Sequence, residues 1–214
     1  MGIELALKRR DLTINSIAIN LSNFEIVDPY NGIIDLKNKI LRATDDNLFN
    51  EDPLRFFRVM QFISRFEFNP EPELDKICQN MDLSGVSKER IELEFEKMLL
   101  KSKKPSLGLR WLNKINRLKD VFPELYDTVG VEQEQQWHPE GDVFEHTMQA
   151  LDAAAKICSP TLRYTQLAQG AQGERHPARG ECFSEACEEK CIEPCCGQNK
   201  LILLYSVICH DLGK

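Results

Sequence analysis

An aspartate and an arginine three residues apart, Asp52 and Arg55, stand near the start of the stretch NEDPLRFFRVMQFISRF. Pro53 suits a first helical turn, where its missing N–H is no loss. Beyond it Phe56, Val59, Ile63 and Phe66 recur at spacings of three and four, so the spacing predicts a helix with one apolar face. Asp52 and Arg55 head that same face. Charges leave a buried face unless they are paired or have something to bind. This pair can read a base. Cytosine and adenine both present an amino donor beside a ring-nitrogen acceptor; guanine and uracil present the opposite order. A carboxylate accepts from the amino group and a guanidinium donates to the ring nitrogen, so one Asp/Arg pair can accept C and A and reject G and U. The same residues admit a plainer reading, in which Asp52 caps the helix and pairs locally with Arg55.

Two other clusters offer chemistry. Arg9-Arg10-Asp11 lies beside a stretch that reads as a hairpin. Arginines bind phosphate oxygens in a fork and an aspartate accepts from a sugar hydroxyl, so the three can clamp a triphosphate and a ribose, or can be a surface charge cluster. Near the other end, His210 and Asp211 follow an apolar helix, Leu201–Cys209, and His146 stands far upstream in another. Adjacent His and Asp can ligate one divalent metal with a distant His as third ligand; the alternative is a capping His and a surface Asp.

The elements that position these residues are mostly helical. Residues 1–8 read as the end of a helix. The apolar runs Ile17–Leu21 and Phe24–Val27 predict a hairpin, Asp28–Gly32 a turn, and Ile33–Leu36 and Ile40–Arg42 are short and ambiguous. Residues 51–120 read as a run of helices with short links and no strand. Glu73–Met81 is one. Another follows Ser87 with Ile91, Phe95, Met98 and Leu99 on its apolar face, and a third starts at Pro105-Ser106 with Leu107, Trp111, Ile115 and Leu118 as its stripe.

Composition narrows the classes. No apolar run approaches a membrane span, the opening MGIELALKRRD is not a signal peptide, and it lacks the Ser or Thr of a myristoylation signal, so a cytoplasmic protein without a membrane partner is expected. The net charge is −7, but residues 1–120 carry +1 and residues 121–214 carry −8. The basic surface therefore belongs to the first part. It is densest at Lys101, Lys103, Lys104, Arg110, Lys114, Arg117 and Lys119, a cluster suited to a phosphate backbone or simply a solvated helix face. Of eight cysteines, five lie between Cys182 and Cys196, while Cys78, Cys158 and Cys209 sit in apolar surroundings and read as buried thiols. The five include no C-x-x-C pair, and Leu167–Gly180 before them has no apolar period, so 162–200 reads as an insert without a fixed fold rather than a zinc site.

The motifs RRDLTIN (9–15), DPYNGIIDL (28–36), EDPLRFFRVMQF (51–62) and SKERIELEFEKML (87–99) stand in an order and spacing that resemble the bacterial class II CCA-adding tRNA nucleotidyltransferases and their poly(A) polymerase relatives. The likeness runs over about the first 160 residues. It implies that Arg9, Arg10, Asp11 and Asn15 contact the ribose and triphosphate of the incoming nucleotide. Glu51, Asp52 and Arg55, with Arg58 close by, would be the protein template that selects C or A. Asp28, Gly32 and Asp35 would form a flexible link between head and neck, and Glu89, Arg90, Glu94 and Lys97 would brace the neck. His138, His146, His210 and Asp211 resemble an HD domain appended to some of these enzymes, with a divalent metal at His146, His210 and Asp211.

The fold class implied is mainly α, with a multi-helical neck and body and a partial HD domain, and a small α/β remnant of the nucleotidyltransferase head. The expected divisions are 1–49 for the head remnant, 50–125 for neck and body, and 126–214 for the partial HD domain. Partners would be tRNA, through Lys101, Lys103, Lys104, Arg110, Lys114 and Arg117, and CTP and ATP, with no DNA. Mg2+ would serve the whole enzyme. The family's D-x-D carboxylates, which hold that metal, occur nowhere in the sequence. The chain thus reads as an N-terminally truncated fragment that does not transfer nucleotides alone. The alternatives are an HD-type metal-dependent phosphohydrolase, a non-catalytic RNA- or nucleotide-binding module, and a poly(A) polymerase-like relative.

Overall fold

The computed structural model describes residues 2–134, 141–157 and 197–212, with the side chains of 197–199 left aside. His138 and residues 162–196, with their five cysteines, lie outside the described residues. The chain divides into two compact units, Met1–Asp127 and Thr128–Lys214. The fold is mainly α with a few two-residue strands.

The first unit begins with α1 (Ile3–Lys8), which ends as expected just before the double arginine. The hairpin forms, though only Ala18–Ile19 (β1) and Ile26–Val27 (β2) pair, antiparallel, with Ala18 opposite Val27. The ambiguous apolar stretches resolve into α2 (Gly32–Asn38) and β3 (Ile40–Leu41). Two motifs lock together here. The Asp28 carboxylate accepts from the N–H groups of Gly32 and Ile33 at 2.7 and 2.9 Å, which satisfies the start of α2. A Cβ on Gly32 would come within 2.2 Å of the Thr13 carbonyl oxygen, so only glycine permits this approach. Buried Asp35 then accepts from the Thr13 hydroxyl at 2.7 Å and from Arg42 Nε at 3.2 Å. The residues expected to form a flexible link thus hold the 9–15 segment in place.

After α3 (Asp46–Asn50), whose N-cap Asp45 accepts from the Leu48 N–H at 3.0 Å, comes the central helix α4, Leu54–Phe66. Phe56, Val59 and Ile63 are buried as the spacing predicts, with Phe57, Met60 and Phe62 beside them. Phe66 departs from the expectation and is exposed, because the helix ends there with Glu67 left-handed at φ 56°. A second departure follows at once. Asn69–Pro70 (β4) pairs parallel with β3, although no strand was expected in 51–120. Proline is tolerated because the N–H groups that bond across are those of its neighbours, Asn69 to Lys39 and Glu71 to Leu41.

The remaining helices of this unit are α5 (Pro72–Asn80), α6 (Lys88–Lys101), α7 (Ser106–Lys114), α8 (Leu118–Val121) and α9 (Pro123–Tyr126). Helices α6 and α7 pack on α4. Phe95, Met98 and Leu99 are buried, as are Trp111, Ile115 and Leu118, whereas Ile91 and Leu107 are half-buried. The α4–α7 approach is set by small residues. Ser64 donates to the Pro105 carbonyl at 3.2 Å and accepts from the Gly108 N–H at 2.8 Å, and a Cβ on Gly108 would stand 2.6 Å from the Ser64 hydroxyl.

The second unit pairs α10 (Val143–Ile157) with α11 (Gly197–Cys209), burying Phe144, Met148, Leu151, Leu204 and Ile208. Asp142 bonds the Glu145 N–H at 2.8 Å in an N-cap geometry and holds the preceding loop through the Gly130 N–H at 2.6 Å. Helix α11 starts four residues before the expected Leu201.

Candidate nucleotide and metal sites

The start of α4 faces the 9–15 segment. Arg55 donates to the carbonyls of Leu48 at 2.6 Å and Arg9 at 2.9 Å. One turn on, Arg58 Nε donates to Asp11 Oδ2 at 2.7 Å. The other Asp11 oxygen accepts from Asn15 Nδ2 at 3.1 Å, and Asp11 as a whole is only 7 % exposed. Asp11, Asn15, Arg55, Arg58 and the Arg9 main chain are therefore brought together, from motifs more than forty residues apart. The Arg9 and Arg10 side chains are exposed, as is Glu51.

Asp52 does two things. Its Oδ1 accepts from the Leu54 N–H at 3.2 Å, as the plainer reading expected, and lies 3.8 Å from the Arg90 guanidinium of α6. Arg90 replaces Arg55 as its ionic neighbour. The local Asp52–Arg55 pairing expected from spacing is absent among the described residues, because both Arg55 contacts are to carbonyls. Buried Glu94 is bonded by Lys97 at 2.8 Å, one turn along the same helix.

The basic cluster does not survive whole. Arg117 is not an exposed cation. Its NH1 donates to the carbonyls of Cys78, Gln79 and Met81 at 2.8–3.0 Å, its Nε bonds Asp120 at 2.7 Å, and its guanidinium lies 5.4 Å from the Phe56 ring centre. With the side chain 11 % exposed, Arg117 caps the C-terminus of α5, where unsatisfied carbonyls attract a cation. Lys114 is exposed but bonded to Asp75, which also accepts from the Trp111 indole. Lys104 bonds Glu67, and the Arg110 Nε lies 3.5 Å from the Ser106 hydroxyl. Lys101 and Lys103 are exposed at the end of α6.

In the second unit, one ligand atom each from His146, His210 and Asp211 lies within 4.8 Å of the other two. The imidazole rings are 5.6 Å apart between centres, and His210 Nε2 is 3.2 Å from Asp211 Oδ2. The other His210 ring nitrogen bonds the Val207 carbonyl, which orients the ring. Asp211 is buried, His146 half-buried and His210 exposed, so the cluster has a solvent side. Sequence spacing offered only the HD dipeptide and a distant histidine; the pairing of α10 with α11 makes them one cluster.

Residues 2–42 match the Poly A polymerase head domain. Over its full length the chain aligns with the Multifunctional CCA protein of Mannheimia succiniciproducens at 35 % identity. The chain is thus similar to the CCA-adding enzyme and poly(A) polymerase family. It spans 44 % of the length of that relative. Among solved family folds, a tRNA nucleotidyltransferase complexed with a primer tRNA and an incoming ATP analog aligns over 96 % of this chain and 50 % of its own, at a TM-score of 0.57 and 23 % identity. The Thermotoga maritima CCA-adding enzyme complexed with tRNA aligns over 96 % and 57 %, at a TM-score of 0.52 and 18 % identity. At these identities they show a shared fold. No helix among the described residues is long and apolar enough to cross a membrane.

Sequence reasoning missed three contacts in and around the candidate site. The grip of Asp35 on Thr13, the approach of Arg90 to Asp52, and the capping role of Arg117 all join positions 22 to 39 residues apart. The motif order was the only signal that could have hinted at the first two. An open cavity of about 410 Å³ between α3 and α5, lined by Asp46, Asn47, Asn50, Lys76, Ile77 and Asn80, includes none of the candidate residues.

Proposed function

We propose that this chain carries the nucleotide-selecting part of a CCA-adding tRNA nucleotidyltransferase, which adds C and A to tRNA 3′ ends from CTP and ATP. Residues 1–49 are the C-terminal part of the head, 50–125 the neck and body, and 126–214 a partial HD domain. The observation that carries the reading is the double grip of α4 on the 9–15 segment, by Arg55 on the Arg9 carbonyl and by Arg58 on Asp11. It sets a stretch rich in phosphate-binding side chains against the turn that bears a carboxylate and a guanidinium suited to reading a base.

The roles follow from the chemistry available. Arg9 and Arg10, both exposed, bind triphosphate oxygens. Asp52 has Oδ2 left to accept from an exocyclic amino group, and Arg55 uses two of its five N–H groups on carbonyls, leaving donors for a ring nitrogen. Exposed Lys101 and Lys103, with Lys104, Arg110 and Lys114 nearby, hold the RNA backbone. Mg2+ would serve the whole enzyme, but no two aspartates of this chain stand in D-x-D order, so its residues do not fit that centre and no transfer step is routed through it. The chain alone is expected not to transfer nucleotides. Its location is cytoplasmic.

Titration of the chain with the four ribonucleoside triphosphates tests the template. CTP and ATP are expected to bind ~10-fold or more tightly than GTP and UTP, as one well-placed bidentate pair allows, and Arg55→Ala to abolish the preference. Equal binding of GTP refutes the reading.

The His146, His210 and Asp211 cluster supports a second reading, metal-dependent phosphohydrolysis. Two imidazoles and a carboxylate converging on one point are a donor set for a divalent transition metal, which when bound supplies a Lewis acid for phosphate chemistry. His210 is positioned by the Val207 carbonyl and Asp211 by burial. Release of phosphate from a cyclic or terminal phosphate ester that depends on added Mn2+ or Co2+, and is lost in His210→Ala, supports it. Activity retained in that variant excludes it.

A further inference from the structure

We propose that Arg58 is a positioning residue for the nucleotide: it fixes the Asp11 carboxylate, and with it the 9–15 segment, against α4 without touching the nucleotide itself. The inference rests on the nucleotide reading above and assigns Asp11 and Arg58 a role different from direct sugar or base contact.

Asp11 is the anchor of this segment. It is buried, and both oxygens turn inward, to Arg58 Nε at 2.7 Å and Asn15 Nδ2 at 3.1 Å. Its carbonyl accepts from the Thr44 N–H at 3.3 Å, while the next residue but one, Thr13, donates its N–H to Arg42 and its hydroxyl to Asp35. A buried carboxylate is costly unless it is paired or hydrogen-bonded, and a cationic partner 47 residues away is a tertiary tie. The distance is that of a charge-assisted hydrogen bond. The Arg58 guanidinium also lies 5.6 Å from the centre of the Phe62 ring, one turn along the same helix, which restricts its rotamers.

The second tie between α4 and this segment runs from Arg55 to the Arg9 carbonyl. Arg55 is also the proposed base reader, so its loss removes that tie and the base contact together. Arg58 has no such double duty, and its bond seats the segment independently of base reading. The two arginines, one helical turn apart, therefore differ in what their loss does. Removing Arg55 changes which base is preferred. Removing Arg58 displaces the triphosphate-binding side and weakens all accepted nucleotides alike.

The test uses the 214-residue chain and its Arg58→Gln, Arg58→Lys, Asp11→Asn and Arg58→Gln/Asp11→Asn variants, titrated with CTP, ATP and GTP. Amide hydrogen exchange of residues 9–15 and of α7 is followed on the same samples. Arg58→Gln is expected to weaken CTP and ATP by the same factor, roughly 10- to 100-fold, the worth of one hydrogen bond between charged groups. Arg58→Lys recovers part of the loss. The double variant binds no more weakly than the weaker single variant, because Arg58 acts through Asp11. Exchange quickens in 9–15 and not in α7. A change in the ratio of CTP, ATP and GTP affinities, additive losses in the double variant, or unchanged exchange in 9–15 overturns the proposal. Wild-type binding that Arg58→Gln leaves intact overturns the positioning role alone. Failure of the wild-type chain to bind any triphosphate overturns the nucleotide reading, and the positioning role falls with it.

Discussion

Replacing Arg117 by alanine separates a structural cation from an RNA-binding one. The side chain bonds three consecutive-turn carbonyls at the C-terminus of α5 and lies over the Phe56 ring at the base of the core. The Cys78 and Met81 carbonyls are partly buried, so their lost bonds are not fully replaced by water, whereas the Gln79 carbonyl is exposed and regains one. A hydrogen bond to a charged group contributes ~1.5–3 kcal/mol, and the partner left half-buried adds to the loss. The Asp120 carboxylate is largely exposed, so its pair with Arg117 contributes little. The stacked guanidinium over Phe56 adds about 1 kcal/mol. Since these contributions share one side chain and do not sum, about 3 kcal/mol is the expected loss, or roughly 10 °C in the melting temperature of the first unit. Lys103→Ala serves as comparison: it is exposed, so melting stays within about 0.5 kcal/mol while the salt dependence of RNA binding falls by about one unit. Thermal melts by circular dichroism, with RNA titrations over a range of salt, read both. An Arg117→Ala chain that melts like wild type but binds RNA more weakly would refute the capping argument and restore Arg117 to the RNA surface.

Two further changes probe the frame that holds the site. Gly108→Ala places a Cβ 2.6 Å from the Ser64 hydroxyl and 2.8 Å from the Met60 carbonyl; because backbone cannot yield as a side-chain tip can, a loss of about 2–3 kcal/mol in denaturant unfolding is expected, and a neutral result would mean that α7 slides freely on α4. Asp45 is held below the usual carboxylate range by the Leu48 N–H first and by Lys8, 3.1 Å away, second. Its folded pKa thus lies below its unfolded one, so its contribution is present above about pH 4 and is lost as the pH falls through the depressed value. Asp45→Asn should therefore flatten the acid limb of a stability-against-pH curve below about pH 4 and leave its slope near neutrality unchanged; an identical acid limb in both proteins would show the cap to be unimportant.

How far the site was legible depended on whether partners lie on the same element. The α4 helix was readable because Phe56, Val59 and Ile63 carry its period and Pro53 marks its start. Asp52 was readable as a cap because the Leu54 N–H is two residues away. Phe66 was misread because periodicity says nothing of where neighbouring helices stop covering a face. Arg117 was misread for the same reason in sharper form: its partners are main-chain carbonyls at 78–81, and carbonyls have no sequence signature. Asn69–Pro70 escaped notice because a proline argues against a strand unless one knows which N–H groups the ladder needs. His146 and His210–Asp211 converge only through the packing of α10 on α11, which no local pattern encodes.

Asp52 and Arg55 could read a base only with the groups their own contacts leave unused. Had Arg55 closed a bidentate pair with Asp52, each would have satisfied the other, and reading a base would have meant breaking two charge-assisted bonds. Instead Arg55 bonds the Leu48 and Arg9 carbonyls, neutral acceptors that hold the guanidinium plane in place while Nε and one N–H on each terminal nitrogen stay available. Asp52 bonds the Leu54 N–H through one oxygen, which fixes the carboxylate plane, and Arg90 stands 3.8 Å away without forming a tight pair. Each side chain is therefore oriented by neighbours that leave its proposed reading edge unused in these contacts, and each orienting partner is cheaper to give up than the other would have been. An acceptor and a donor held in fixed planes discriminate by the order of groups a base presents, because a base in the wrong order leaves two polar groups unpaired instead of merely forming weaker bonds.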